Sequence, residues 1–137
     1  MQNLNIKMRK IKSFKLFENV SNIPTEDEVK YSLIDLYDLE YDIDITYYDV
    51  DRCYQIEIKS NKSPYIFNIS DVKDCIITTI EFFKSKYEDF SYNLLYLECD
   101  EKYKMDMGEY IDIPGDLDIY FDNNDFQTNS IMLYLNF

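Results

Sequence analysis

Apolar and polar positions along this chain follow two rhythms, and each change of rhythm marks an element. Val29, Leu33, Leu36 and Tyr37, with Ile34 widening the stripe, recur at the spacing that keeps one side of a helix apolar. They follow Pro24-Thr25-Glu26-Asp27-Glu28. There Thr25 can serve as N-cap and Glu28 as the return half of a capping box, while the acids suit the positive end of the helix dipole. The spacing predicts a helix over 25–39. At Tyr41 the period drops to two: Tyr41, Ile43, Ile45 and Tyr47 alternate with Asp42, Asp44 and Thr46 as a half-buried strand. A turn over 49–52 leads to the return strand, in which Tyr54, Ile56 and Ile58 alternate with Gln55, Glu57 and Lys59. Beyond Pro64 the segment 65–69 reads as a short third strand.

Ser70 or Asp71 is placed to cap a second helix over 71–87. Val72, Cys75, Ile76, Thr79, Ile80 and Phe83 keep helical spacing there, and Lys84 and Lys86 lie at the negative end of the dipole. The period then returns to two. Strands are expected over 93–99, 102–107, 110–113 and 117–121, with a final one over 131–137. Ile113-Pro114-Gly115-Asp116 carries the residues of a type II turn, and Asp122-Asn123-Asn124-Asp125 those of a loop. The order α-β-β-β-α followed by three to five strands predicts an α+β fold. Its sheet should be mainly antiparallel, with strands close in sequence pairing and both helices on one face.

The length of 137 residues suits one domain with one real core. We divide it into a basic arm or edge segment over 1–20 and an acidic α+β domain over 21–137. The net charge of −13 is unevenly spread. Lys7, Arg9, Lys10, Lys12 and Lys15 occupy the first fifteen positions without an acid, and the remainder holds nine bases against 27 acids, a net of −18. Such a body repels phosphate backbones and attracts basic protein surfaces, including those that hold nucleic acid.

What is missing narrows the chemistry. There is no histidine, hence no His-based triad or general base and no two-His metal motif. Gly108 and Gly115 are the only glycines and stand apart, which leaves no phosphate-cradling loop. Cys53, Cys75 and Cys99 are odd in number and widely spaced, so free thiols in a reducing compartment are expected. No apolar run suits a signal peptide or a membrane span, which predicts a cytoplasmic location. The pairs Asp42/Asp44, Asp49/Asp51 and Asp116/Asp118 each project together from a strand, yet none has the order of a calcium loop. We read them as solvated faces and expect no metal and no cofactor.

One enzymatic pattern is present. Glu57-Ile58-Lys59 lies on a predicted strand, with Asp44, Asp49 and Asp51 upstream and Glu26 and Glu28 opening the first helix. This resembles the (D/E)-x-K signature of the restriction-endonuclease-like nucleases, whose core also runs α-β-β-β-α-β. The resemblance implies Asp49 (or Asp44) and Glu57 as Mg²⁺ ligands and Lys59 as the catalytic lysine, with the metal assisting hydrolysis. In that family the lysine usually sits on the third strand, whereas Lys59 falls on the second. The order of elements over 25–87 also resembles that of a double-stranded-RNA-binding domain. Such domains open their second helix with lysines, and here Ser70-Asp71-Val72-Lys73-Asp74 puts one lysine between acids.

The remaining candidate is the surface. Acids interleaved with tyrosines imitate the charge of a nucleic-acid backbone and supply contact area. The candidate binding residues are Asp35, Asp38, Glu40, Asp42, Asp44, Asp49 and Asp51 around the first helix–strand junction, and Asp112, Asp116, Asp118 and Asp122 further on. The leader Met8-Arg9-Lys10-Ile11-Lys12-Ser13-Phe14-Lys15-Leu16-Phe17-Glu18 resembles openings of small proteins of large tailed phages, and the Asn, Ile, Lys, Tyr and Asp bias suggests an AT-rich genome. We therefore expect a non-enzymatic acidic binding module of phage or mobile-element origin. The expected partner is a host protein with a basic surface, without direct contact to nucleic acid or membrane. The chain itself would be a monomer or small homo-oligomer. An inhibitor that mimics nucleic-acid charge against a host defence protein is the concrete version, and a small phage structural or assembly protein is an alternative.

Overall fold

The computed structural model describes residues 23–62, 65–100, 105–113, 117, 120–121 and 127–137, with the backbone course alone over 98–100 and 105–109. The basic leader, the turn residues 114–116 and the loop 122–125 lie outside them. Among the described residues three α-helices with defined bounds, a 3₁₀ turn and a six-stranded antiparallel sheet make an α+β fold.

Thr25 caps α1 (Glu26–Ser32) as the sequence indicates, its Oγ1 accepting the Glu28 N–H at 3.2 Å. The carboxylate of Glu28 does not close a capping box. It accepts from the Lys86 ammonium and the Tyr87 hydroxyl instead, which ties the start of the first helix to the end of the last. The helix expected over 25–39 is broken at Leu33, and α2 (Ile34–Asp38) follows. The break has an identifiable cause: the Ser32 carbonyl accepts the Thr79 hydroxyl at 2.8 Å from the neighbouring helix, while the Leu36 N–H turns to Leu33. Local periodicity cannot report such a tertiary hydrogen bond.

β1 (Tyr41–Tyr48) and β2 (Cys53–Ser60) form the expected hairpin, in register from Tyr41–Ser60 to Tyr48–Cys53. The third strand shrinks to β3 (Phe67–Asn68), because Ile69–Asp71 turns into a 3₁₀ helix. That turn also displaces the cap of α3 (Lys73–Lys86) to Val72, so neither Ser70 nor Asp71 caps it. Ile76, Thr79, Ile80 and Phe83 are its buried stripe. β4 (Ser91–Asp100) pairs with β5 (Met105–Asp112), one strand where the sequence suggested two. Leu117, Tyr120 and Phe121 are helical rather than extended, with Leu117 and Phe121 buried in the core. The expected strand over 117–121 is thus corrected: the helical backbone puts both apolar positions, four apart, on one side.

β6 (Gln127–Asn136) decides the topology. It lies between the two hairpins, giving the order β1-β2-β6-β4-β5, and β3 continues the β2 flank of β6 at Thr128. On the helix-covered side, register aligns rows of apolar residues across the strands. Ile45, Ile56, Leu133 and Leu94 form one row, and Ile43, Ile58, Ile131 and Tyr96 the next. Ile56, Ile58, Ile131, Leu133 and Leu135 are fully buried against Val29, Leu33, Leu36, Ile76 and Phe83. At one end of the sheet Phe137 meets Phe83, Tyr87 and Phe90 at centroid distances of 5.5, 5.0 and 5.3 Å. Such contacts add to the area that the rings bury.

Burial pushes the phenols of Tyr87, Tyr54 and Tyr41 upward, and at Tyr87 the hydrogen bond to Glu28 adds to the effect. A phenol that ionises more readily unfolded than folded favours the fold fully below its unfolded pKa and less as pH rises beyond it. The phenols' contribution to the urea midpoint should stay level up to about pH 10 and fall above it. In Tyr87→Phe the fall should be shallower, and an identical fall would exclude Tyr87 as a source.

Candidate functional site

α1, α2 and α3 pack on one side of the sheet, and among the described residues no helix covers the other. Alternation assigns the residues of that open side. One row runs Asp44, Glu57, Met132, Leu95, Asp112 across all five long strands. Acids stand at its two flanks and apolar side chains in the middle. The adjacent row is Thr46, Gln55, Tyr134 and Asn93. Asp42, Asp44 and Asp112 are exposed, while Glu57, Met132, Tyr134 and Leu95 are half-buried.

The alternation of β6 breaks at one place. Between the pairs Tyr96–Ile131 and Glu98–Thr128, β4 advances by two residues and β6 by three. The surplus is a β-bulge at Asn129 and Ser130, opposite Leu97. Beyond it the phase is reset. Thr128 faces the helices beside Phe67, whose ring meets Tyr41 edge-on at 5.2 Å, and both Asn129 and Ser130 reach the open side. The buried Thr128 hydroxyl serves the bulge: it donates to the Leu97 carbonyl at 2.5 Å and accepts the Ser130 N–H at 3.2 Å.

A cavity of about 400 Å³ opens at this bulge, with Asp42, Glu57, Lys59, Tyr110, Asn129 and Ser130 in its wall. Glu57 Oε2 is the common acceptor, but its partners among the described residues are all distant. Ser130 Oγ stands at 3.3 Å, the Tyr110 hydroxyl at 3.5 Å and Lys59 Nζ at 3.6 Å. The Tyr110 hydroxyl also stands 3.1 Å from Ser130 Oγ. At the rim Tyr65 holds a left-handed backbone with φ of 66°, uncommon for a bulky residue, and its carbonyl accepts the Asn129 amide at 3.3 Å. The Asn129 Oδ1 is buried and has no hydrogen-bond partner among the described residues.

Of the predicted catalytic set, Glu57 and Lys59 share this cavity. Asp49 belongs to the β1–β2 turn at the far end of the hairpin, so it is corrected as a companion of theirs. The upstream acid that joins them is Asp42, directly across from Lys59, with Asp44 one row away across from Glu57. Among the described residues no three His, Cys, Asp or Glu side chains are grouped to hold a metal ion. The predicted binding acids that the structure describes divide among four places. Asp42, Asp44 and Asp112 lie on the open side; Asp49 and Asp51 sit in the turn; Asp35 and Asp38 are exposed on α2 in the helical layer. Glu40 is exposed with φ of 68° at the α2–β1 junction. Asp116, Asp118 and Asp122 lie outside the described residues.

Sequence reasoning missed Asn129, Ser130, Tyr65 and Tyr110. The available signal was the polar stretch Thr128-Asn129-Ser130 just before an apolar strand, which marks a change of phase.

Cys53 and Cys75 are free, and burial raises both thiols above their ordinary range, with Asp51 and Asp35 respectively adding repulsion. No described helix is long and apolar enough to cross a membrane. Compared with protein-family models, curated proteins and solved structures, the chain matches none.

Thr128→Val keeps the shape of the side chain but deprives the bulge of its donor and acceptor. It should cost about 1–3 kcal/mol in urea denaturation. Thr128→Ser should recover most of that loss, and equal losses in the two variants would show that the hydroxyl is not what matters.

Proposed function

We propose that this chain is a non-enzymatic acidic binding module, of phage or mobile-element origin, that docks its open sheet side on a basic surface of a host protein. In its concrete form it inhibits a nucleic-acid-binding protein of host defence by occupying the surface that would hold the nucleic acid. The row Asp44–Glu57–Met132–Leu95–Asp112 supports this reading above all. Four inter-strand steps of about 4.8 Å put its terminal acids roughly 19 Å apart, and the half-buried Met132 and Leu95 lie between them. An apolar centre flanked by charge is the layout of a docking surface: the centre supplies affinity when desolvated, and the flanks steer approach and set orientation.

The test is association with a panel of host nucleic-acid-binding proteins at low and high salt, with duplex DNA as competitor. Association should slow about tenfold or more as salt rises, and DNA should compete. The triple variant D44N/E57Q/D112N should slow association more than it speeds dissociation. Salt-independent association, or a complex in which DNA and this chain occupy the partner together, would overturn the reading.

One observation favours a second reading: Glu57, Lys59 and the upstream Asp42 line a single cavity. As a nuclease, Asp42 and Glu57 would hold the metal and Lys59 would position water. That reading expects Mg²⁺-dependent cleavage of DNA or RNA, abolished in Lys59→Ala. An inactive wild-type chain on single- and double-stranded forms of both ends it.

A further inference from the structure

We propose that the cavity at the β6 bulge is a receptor for one guanidinium group, the side chain of an arginine on the docked partner. Assigning that arginine to a protein rests on the docking reading above; the receptor itself rests on the geometry of the cavity. Its volume of about 400 Å³ lies within the range of small-ligand sites, about 300–1,000 Å³. Among the described residues its charged side chains are the carboxylates Asp42 and Glu57 and one cation, Lys59. Among the described residues no contact to Glu57 Oε2 is shorter than 3.3 Å, so the half-buried carboxylate keeps capacity for stronger donors. Asn129 borders the same space. Its amide nitrogen is already engaged by the Tyr65 carbonyl, which holds the side chain in place.

An occupant must therefore bring a positive charge and several donors. It must also fit beside the tyrosine rings of Tyr65 and Tyr110, both of which border the space. Guanidinium satisfies all three demands. It is planar, carries five donors in a fixed fork and stacks on aromatic rings, whereas an ammonium offers three donors on a compact, strongly hydrated head. Lys59 occupies the place that the incoming cation would take. Its ammonium is half exposed and stands 3.6 Å from Glu57, so it can swing into solvent when a better donor arrives.

The test titrates N-acetyl-arginine-methylamide into the full chain and follows backbone amide shifts by NMR, with the lysine analogue in parallel. The expected result is shifts centred on Glu57, Tyr110 and Ser130, with the arginine compound binding more tightly. Glu57→Gln should weaken it about tenfold or more, as losing a charged hydrogen bond implies. Asp42→Asn, at the exposed rim, should weaken it less, and Lys59→Met should leave it unchanged or strengthen it. Circular dichroism of each variant checks folding, and the rim variant keeps the test open if Glu57→Gln fails to fold. Absent shifts at the cavity, equal binding of the lysine compound, or loss of binding in Lys59→Met would overturn the receptor. Because the titration involves no partner, a cavity that ignores arginine while salt-dependent docking persists sinks this inference alone. A cavity that takes arginine in a chain that docks on no basic protein sinks the docking reading alone.

Discussion

The structure depends on one strand finding its place between two hairpins. Each hairpin closes locally, but neither alone buries its apolar rows, because an isolated two-stranded ribbon has too little sheet to cover. β6 joins them by pairing with β2 on one flank and β4 on the other, and its Ile131, Leu133 and Leu135 become fully buried. The pairings that matter most are the distant ones, such as Cys53 with Asn136. A sheet completed by long-range pairing carries a large loop-closure cost before its contacts repay it, and folding limited by that step is expected to be slow.

The same strand creates the candidate site. Its bulge lets Thr128 and Ile131 both face the helices across a three-residue interval, so the core stays continuous to the end of the sheet. In exchange, Asn129 and Ser130 turn to the open side, where they share a cavity with Glu57 and Lys59 of the first hairpin. The cavity is thus a by-product of core phasing that gathers groups from β1, β2, β5 and β6. Held by the Thr128 hydroxyl, the bulge couples the stability of the sheet to the geometry of the site.

Charge and topology act together on the open side. The hairpin β1–β2 and the edge strand β5 carry the acids, while the central strands carry Met132, Tyr134 and Leu95. Exposed charge along edge strands also discourages pairing with other sheets, since unlike apolar edges it repels copies of itself. One arrangement thereby discourages self-association and, on the docking we propose, suits a basic partner. Lys59, alone among these acids, is the residue on which a binding site and a hydrolytic one differ: a cation that yields its place in the first, a fixed participant in the second.

The elements dominated by local contacts were legible in the amino-acid order. The capped start at Thr25, the alternation of the first hairpin, the stripe of α3 and the α+β class all follow from periodicity, because each expresses one face turned to a core. The acidity of the body is likewise a property of composition. The break at Leu33, the helical turn at Leu117 and Phe121, and the insertion of β6 between the hairpins were not legible, for they answer to groups distant in sequence. Glu57 and Lys59 were identifiable as neighbours, two apart on a strand. Their true company, Asp42, Ser130, Asn129 and Tyr110, required knowing which strands pair and where one residue too many shifts the register. Periodicity says which side of a strand is apolar; only the assembled sheet decides what stands across from it.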